Sequence, residues 1–124
     1  MTEKLEIYKC EICGNVVQVF VTGMGELVCC GQNMKRLSPK YENNELGEKH
    51  GVKLLNKEDK RFAAVQNHPM TDEHYIQFIE AIDEDKQEIH LKFLKPSETA
   101  EFDISNYSDN LKLQELCNIH ELWG

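Results

Sequence analysis

Four cysteines within the first thirty residues constrain the fold of this chain more than any other feature. They form a C-x-x-C motif, Cys10 and Cys13, and an adjacent pair, Cys29 and Cys30, and a glycine follows each pair. The segment that carries them, residues 1–37, is shorter than the roughly 40 residues that a unit needs in order to bury a sufficient core alone. The sequence therefore predicts that this segment folds around a metal ion.

The spacing of the four cysteines favours one shared site, since the alternatives are a strained disulfide between adjacent cysteines or unligated thiols. Neighbouring side chains of a strand point to opposite faces, so the backbone must turn sharply between Cys29 and Cys30. We expect the turn TGMGE, Thr22 to Glu26, to close a hairpin that brings the two pairs together. A tetrahedron of sulfur atoms suits both zinc and iron, so a zinc ribbon and a rubredoxin-like electron carrier both remain open.

The rest of the chain, residues 38–124, has the pattern of an all-β unit. Ser38-Pro39-Lys40 and the polar run from Tyr41 to Gly51 indicate a linker and a long loop. Short apolar segments then alternate with polar turns, which favours a β-sandwich or barrel and a mainly β protein. These segments are RFAAVQ, HYIQFIEAI, QEIHLKFL, AEFDI and LKLQEL, the last of which would also suit a short helix.

Charge and cysteine usage restrict the class of partner. The chain has 124 residues, with 22 acidic and 14 basic side chains and a formal charge of −8, which disfavours binding to nucleic acid or to a membrane surface. No apolar stretch is long enough to cross a bilayer, and the N-terminus does not resemble a signal peptide. We therefore expect a cytoplasmic protein, where five cysteines are metal ligands or redox groups rather than disulfides.

The fifth cysteine lies far from the others, at the end of the chain. Cys117 and His120 form a C-x-x-H motif, a spacing with which one loop can offer a thiolate and an imidazole to the same metal. Three more histidines lie in predicted turns or at strand edges, whereas His90 alternates with apolar residues and is expected to be a solvated strand residue. Four imidazoles and a thiolate exceed the four ligands of zinc, but they suit iron and leave a sixth position open.

Several segments, in order along the chain, resemble one known family. The stretch YKCEICGNVVQVFVTGMGELVCCGQNMK is similar to the desulforedoxin domain, and EKH, HPM, EHYI, LKFLKP and CNIHELW are similar to the superoxide reductase domain of desulfoferrodoxins. The resemblance covers essentially the whole chain. It implies a desulforedoxin-like metal-knuckle domain in residues 1–37 and an immunoglobulin-like, seven-stranded β-sandwich or barrel in residues 38–124, usually in a homodimer.

The resemblance also implies two iron ions per chain, with no haem and no flavin. One iron would have four cysteine ligands, and the other would have four equatorial histidines and one axial cysteine. The implied ligands are Cys10, Cys13, Cys29 and Cys30 at the first iron, and His50, His68, His74, His120 and Cys117 at the second.

Two further residues have implied catalytic roles beside the second iron. Glu48 matches a carboxylate that occupies the sixth position of the oxidised iron, and Lys49 matches a positive residue near bound substrate. The family often has Val-Pro-Val after the histidine of EKH, whereas this chain has Gly51-Val52-Lys53, which predicts a more mobile loop.

The implied activity is one-electron reduction of superoxide to hydrogen peroxide, with electrons from an external donor such as rubredoxin. Such an enzyme would serve in detoxification under oxidative stress. The alternative is a non-catalytic, rubredoxin-like electron-transfer protein, which would need the four-cysteine iron but no open iron site.

Overall fold

A computed structural model describes all 124 residues of the chain. The chain divides into two units, Met1–Ser38 and Pro39–Gly124. The division lies one residue after the boundary that the sequence predicts, and it precedes the proline of the expected linker.

The first unit consists of five short strands and the turns between them. A three-stranded antiparallel sheet has the order β2-β1-β5, and β3 pairs with β4 in a separate two-stranded ribbon. The strands are β1 (Ile7–Lys9), β2 (Val16–Gln18), β3 (Val28–Cys29), β4 (Gln32–Asn33) and β5 (Lys35–Leu37).

The prediction that Thr22 to Glu26 closes a hairpin is wrong. Strand β2 pairs with β1 and not with β3, so the tight turn of the sheet is the C-x-x-C knuckle itself. That turn is closed by two backbone hydrogen bonds, from the Cys10 N–H to the Asn15 carbonyl at 2.9 Å and from the Gly14 N–H to the Cys10 carbonyl at 2.9 Å. Glycines 23 and 25 favour a turn after β2, but the strand that pairs with β2 is β1, which precedes β2 in the chain.

The second unit is a β-sandwich of a three-stranded and a four-stranded sheet, which confirms the predicted mainly β fold with seven strands. The sheet orders are β10-β7-β6 and β12-β11-β8-β9, and all pairings are antiparallel. The strands are β6 (Lys53–Lys57), β7 (Lys60–Ala64), β8 (Ile76–Asp83), β9 (Glu88–Phe93), β10 (Glu101–Asp103), β11 (Lys112–Cys117) and β12 (Glu121–Trp123).

The core of the second unit lies between the two sheets. Ala63 and Phe102 of the first sheet contact the same buried cluster as Ile79, Ala81 and Cys117 of the second. A buried face of this kind fixes the register of the strands, because a slip of one residue would turn the apolar side chains to solvent.

The ambiguous segment LKLQEL is strand β11, which pairs with β8 on one side and with β12 on the other. Tertiary pairing therefore decides against the helical alternative. The register between β11 and β8 shifts between Leu116 and Cys117. Such an irregularity re-aims a side chain at the end of a strand, and here the affected side chain is the fifth cysteine.

The predicted loop from Tyr41 to Gly51 contains a short helix, α1 (Glu45–His50). The Asn44 side chain caps it by accepting a hydrogen bond from the Gly47 N–H at 3.0 Å. His50 is the last residue of this helix and is buried, so it does not lie in an irregular loop as the sequence suggested. No helix in the structure is long and apolar enough to span a lipid bilayer.

Candidate metal centres

The four cysteines of the first unit converge on one point. Cys10 and Cys13 lie on the β1–β2 turn, and Cys29 and Cys30 lie where β3 turns into β4. Their sulfur atoms all lie within 4.8 Å of one another. Strand β5 follows β4 at once and pairs with β1, which places the second pair of cysteines beside the first.

The backbone adopts the conformation that adjacent ligands require. Cys30 has a φ of +53°, in the left-handed region, and the glycines that follow the two pairs have φ values of +85° at Gly14 and +77° at Gly31. Glycine populates this region without steric cost, whereas a cysteine there is uncommon. The positive φ at Cys30 supplies the sharp turn that lets neighbouring side chains face one point.

The electrostatics of the four thiols suit a cation. Backbone N–H groups of Cys13 and Ile12 lower the pKa of Cys10 to about 6, whereas hydrogen bonds with the thiols of Cys13 and Cys10 raise the pKa of Cys30 to about 12. The thiolate of Cys10 is therefore stabilised by the protein, whereas thiolates at Cys29 and Cys30 are opposed by their neighbours. Only a positive ion at the centre can hold four thiolates together, and tetrahedral sulfur ligation suits iron.

Four imidazole rings of the second unit form a closed cycle. Ring centroids are 4.6 Å apart for His50 and His68, 4.6 Å for His68 and His74, 5.2 Å for His74 and His120, and 4.8 Å for His120 and His50. Each ring therefore contacts two others, like the corners of a square. Cys117 completes the group, because its sulfur and one nitrogen each of His50, His74 and His120 all lie within 4.8 Å of one another. His68 lies outside this tightest set but joins it through His50.

Different elements position these ligands. His50 ends helix α1, His68 and His74 lie on the loop between β7 and β8, Cys117 ends β11, and His120 lies on the turn between β11 and β12. A proline follows His68, and in the turn before β8 the His74 N–H donates to the Thr71 hydroxyl at 3.1 Å. The sequence predicted this fold-back of the chain from the HPMTDEH segment.

Asn118 joins two of these elements. Its side-chain oxygen accepts a hydrogen bond from the Tyr75 N–H at 3.0 Å, and its side-chain nitrogen donates to the Glu73 carbonyl at 3.0 Å. The residues on both sides of His74 are therefore tied to the residue next to Cys117. One asparagine holds the two ligand-bearing segments in register.

Hydrogen bonds orient the rings toward the centre. His50 Nδ1 donates to the Leu46 carbonyl at 2.8 Å, and His68 Nδ1 donates to the Pro69 carbonyl at 2.6 Å. The Nε2 atoms of these two rings then face each other at 3.1 Å. His74 Nε2 is buried and has no hydrogen-bond partner, which is costly for a polar atom unless a metal ion takes its lone pair.

Burial keeps these imidazoles neutral. It lowers the pKa of His50, lowers the pKa of His68 to about 4 and lowers the pKa of His74. A neutral imidazole keeps the lone pair that ligation requires, so three nitrogens are ready to bind a cation at neutral pH.

Cys117 has the environment of a ligand rather than of an inert core thiol. Its side chain is 1% exposed, and its sulfur accepts a hydrogen bond from the His120 N–H at 3.4 Å. Burial raises the pKa of Cys117, while the N–H groups of His120 and Ile119 act to lower it. The residues present fit a bound iron, and the predicted two-iron pattern of one four-cysteine group and one group of four histidines and a cysteine is confirmed.

The structure places the other predicted site residues on helix α1. Lys49 is half exposed, and its ammonium forms an ion pair with the Glu45 carboxylate at 3.3 Å. Glu48 is exposed. Successive helix residues are rotated by about 100°, so Glu48 lies on the opposite side of α1 from His50.

His90 lies outside the cluster, in agreement with the sequence prediction. It lies on β9, but it is half-buried rather than fully solvated because its ring stacks on Tyr107 with centroids 3.7 Å apart. The stacking partner lies on a loop beyond β10, so no local pattern revealed it.

The sequence pattern did not indicate three residues that lie beside the second group. Trp123 is buried and stacks on His50 at 4.7 Å between ring centroids, and its indole N–H donates to the His120 carbonyl at 2.9 Å. Lys40 donates to that same carbonyl at 3.0 Å. Glu115 is fully buried with no hydrogen bond to either carboxylate oxygen, and burial raises its pKa well above the usual value.

Comparisons with known proteins agree with this arrangement. A family model described as the desulfoferrodoxin N-terminal domain matches residues 2–37, and the desulfoferrodoxin model matches residues 42–124. A desulfoferrodoxin homolog from Archaeoglobus fulgidus is 41% identical over 125 residues, which is 99% of this chain and 98% of the relative. The desulfoferrodoxin of Desulfarculus baarsii is 41% identical over 128 residues, covering 99% of this chain and 97% of that protein.

A solved structure shares the fold. The crystal structure of the superoxide reductase from Treponema pallidum superposes with a TM-score of 0.72 at 19% identity, over 97% of this chain and 96% of that one. Two family models that together cover nearly the whole chain, and full-length relatives at this level of identity, leave one conclusion. The chain belongs to the desulfoferrodoxin family.

Proposed function

We propose that this protein is a superoxide reductase, an oxidoreductase that combines superoxide with one electron and two protons to give hydrogen peroxide. An external donor such as rubredoxin supplies the electron, and the activity serves in detoxification under oxidative stress. The observation that carries the proposal is the closed cycle of four imidazoles with the buried thiol of Cys117 beside it. The family membership of the chain supports the same activity.

Iron held by these side chains would supply the single electron that superoxide requires. The protein's part is to hold a mixed nitrogen and sulfur ligand set in place before the substrate arrives. The hydrogen bonds of Asn118 and the stacking of Trp123 on His50 hold the imidazole rings in place. The Cys117 thiolate would add electron density to a bound iron, which favours transfer of an electron from the iron to the substrate. The role of the second centre as the catalytic one follows from its ligand set.

Lys49 is proposed to attract the substrate anion. The formal charge of the chain is −8, so a small anion is repelled on average and needs a local positive site. Lys49 is next to the ligand His50, and its ammonium is half exposed to solvent. Its charge would also orient a water molecule that donates a proton to the product.

Glu48 is proposed to take the position of the product once the peroxide leaves. In the helix it lies on the side away from His50, so this role requires at least one turn of α1 to unwind. The helix is only six residues long, which makes such unwinding inexpensive because short helices depend on packing rather than on their own hydrogen bonds.

A second copy of the chain is the proposed permanent partner. The first unit exposes several large apolar side chains, an arrangement that marks interaction surfaces. These are Ile12 at 61%, Phe20 at 62%, Val21 at 88%, Met24 at 83% and Val28 at 60% exposed. We propose a homodimer in the cytoplasm, where a reducing environment keeps all five thiols available as ligands, and no role in binding nucleic acid or membranes.

A second candidate is a non-catalytic electron-transfer protein. The four-cysteine group of the first unit would be sufficient for that function. It would leave the four histidines and Cys117 without a chemical purpose, and that is why we prefer the enzyme.

The experiment that separates these functions compares His74→Ala with a matched variant, His90→Ala, outside the cluster. Iron content and the decay of superoxide after a radiolysis pulse are measured for each protein. We expect two irons per chain and rapid decay in the wild type and in His90→Ala, and one iron with a loss of at least tenfold in rate in His74→Ala. Equal rates in the two variants would contradict the proposed site.

A further inference from the structure

Lys40 lies in the second unit, next to the strand that follows the Cys117–His120 turn. Its backbone N–H donates to the Leu122 carbonyl at 3.0 Å, and its carbonyl accepts from the Gly124 N–H at 3.1 Å. These bonds form a parallel bridge between Lys40 and Trp123. The position of the Lys40 side chain is therefore set by β-type pairing with the strand that follows the ligand turn.

The ammonium of Lys40 is directed at a ligand residue. It donates to the His120 carbonyl at 3.0 Å and lies 5.4 Å from the centre of the Trp123 ring. Trp123 in turn stacks on the ligand His50. A positive charge thus contacts one ligand residue, His120, directly and reaches a second, His50, through the ring of Trp123.

We propose that Lys40 is a positioning residue of the second centre. It holds the Cys117–His120 turn in place, and its positive charge favours the ferrous state of the bound iron over the ferric state. Oxidation of the bound iron adds one positive charge to the centre. A nearby ammonium makes that state less favourable by Coulomb repulsion and so raises the reduction potential. The inference rests on the proposed function, because it requires iron at the group of four histidines and Cys117.

The expected effect is moderate because Lys40 is partly solvated. Its side chain is 43% exposed, and solvent screens a charge in that position. The Glu121 carboxylate lies 3.9 Å from the Lys40 ammonium, a long ion pair that offsets part of the charge. The negative charge of Glu121 is therefore expected to lower the reduction potential, whereas the charge of Lys40 raises it. Glu121 follows the ligand His120 and serves as a matched control of opposite charge.

The test is a redox titration of the full-length, iron-loaded protein that follows the visible absorption of each ferric centre. For Lys40→Gln we expect the midpoint potential of the second centre to fall, with about a threefold change in the ferric-to-ferrous ratio at a fixed potential. That change corresponds to roughly 28 mV at 59 mV per tenfold for a one-electron couple. The four-cysteine centre of the first unit reports on general damage to the protein.

Two further variants separate charge from structure. Lys40→Arg keeps the charge and the donor, and we expect its potential to match that of the wild type. Glu121→Gln removes the opposing charge, and we expect the potential to rise. A lowered potential in Lys40→Gln with rescue in Lys40→Arg supports the proposal even if Lys40→Gln is less stable.

The outcomes distinguish this inference from the proposed function. Full iron occupancy with the same potential in Lys40→Gln, Lys40→Arg and Glu121→Gln would overturn the role of Lys40 and leave superoxide reduction intact. Equal shifts in the same direction in Lys40→Gln and Lys40→Arg would show a purely structural effect and would also overturn it. A wild-type protein without iron at the second centre would overturn both proposals.

Discussion

Two lysines beside the second centre have different environments and different expected roles. Lys49 forms an exposed ion pair with Glu45 on helix α1, whereas Lys40 contacts the backbone of the ligand His120. Exposed ion pairs contribute little to stability, so the Lys49 side chain is available to leave Glu45 for an anion. Lys40 has a fixed backbone acceptor and is suited to hold a structure.

For Lys49→Ala we expect slower capture of superoxide and a weaker dependence of that rate on salt, since an ammonium near the site steers the anion. Lys92→Ala removes an exposed lysine from β9 and serves as the control. Rates from pulse radiolysis at several ionic strengths measure both effects. An unchanged rate and an unchanged salt slope in Lys49→Ala would rule out the steering role.

Asp83 provides a test of pH dependence at the end of β8 opposite the one that pairs with Cys117. It is buried at the end of β8, and a hydrogen bond from the Lys86 N–H at 3.0 Å lowers the pKa of its carboxyl below the usual 3.8. A carboxyl whose pKa is lower in the folded chain stabilises the fold above about 3.8, and this contribution disappears as the pH falls through the folded-state value.

We therefore expect Asp83→Asn to melt at a lower temperature than the wild type at pH 7. The difference should be constant down to about pH 5 and should shrink below the usual pKa of an aspartate. Glu84→Gln, at an exposed position next to it, should melt like the wild type. A difference in melting temperature for Asp83→Asn that grows as the pH is lowered would contradict a lowered pKa of Asp83 in the folded chain.

Helix α1 is the element that carries the residues proposed to meet the substrate. It begins after the Asn44 cap, contains Glu48 and Lys49, and ends at the ligand His50. Its position depends on Gly47, where an added Cβ would clash with the backbone carbonyl of Glu42. The close approach of the preceding loop therefore requires glycine inside this helix.

For Gly47→Ala we expect a lower melting temperature and weaker retention of the second iron. Alanine is ordinarily better than glycine in a helix by about 1 kcal/mol, so the clash with Glu42 must reverse the usual sign. Gly23→Ala, where a Cβ meets no atom within 4 Å, is the matched control. Stabilisation by Gly47→Ala, measured by thermal melting, would show that the loop before α1 yields easily.

The sequence predicted the two groups of side chains better than the elements that carry them. Cysteine pairs and a C-x-x-H motif have a chemical meaning at fixed spacing, so residue type alone was informative at Cys10, Cys13 and Cys117. The strands of the sandwich followed from short apolar segments between polar turns. Helix α1 did not, because six residues in a polar run are helical only through the Asn44 cap and the packing of His50.

Long-range pairing accounts for what the sequence did not reveal. The expected hairpin at Thr22 to Glu26 is absent because β2 pairs with the strand before it. Lys40 meets His120 across 80 positions of the sequence, through a bridge to Trp123 that no local pattern indicates. The stacking of His90 on Tyr107 also joins residues that are distant in the sequence, so no local pattern indicates it.

The whole molecule consists of two units, each with its own group of ligands. The four thiols lie in Met1–Ser38, and the four imidazoles with the fifth thiol lie in Pro39–Gly124. The first unit is too short to fold on apolar burial alone, whereas the second has a core between two sheets. We propose that the two units are independent folding domains.

We accordingly expect a fragment of residues 39–124 to fold, to bind one iron and to remove superoxide within about threefold of the full-length rate, because its ligands are all internal. A fragment of residues 1–38 should fold only when metal is present and should unfold with a chelator. Circular dichroism and iron analysis of the two fragments measure this. An unfolded 39–124 fragment would contradict the independence of the second unit.

The proposed reaction is the reduction of superoxide, without its oxidation, at iron held by four histidines and Cys117. The most direct measurement mixes fully reduced, full-length protein with a limited amount of superoxide and determines hydrogen peroxide, dioxygen and the oxidised second centre together. We expect one hydrogen peroxide and one oxidised second centre for each superoxide consumed, and no dioxygen. Release of dioxygen, or loss of superoxide without oxidation of the second centre, would contradict it.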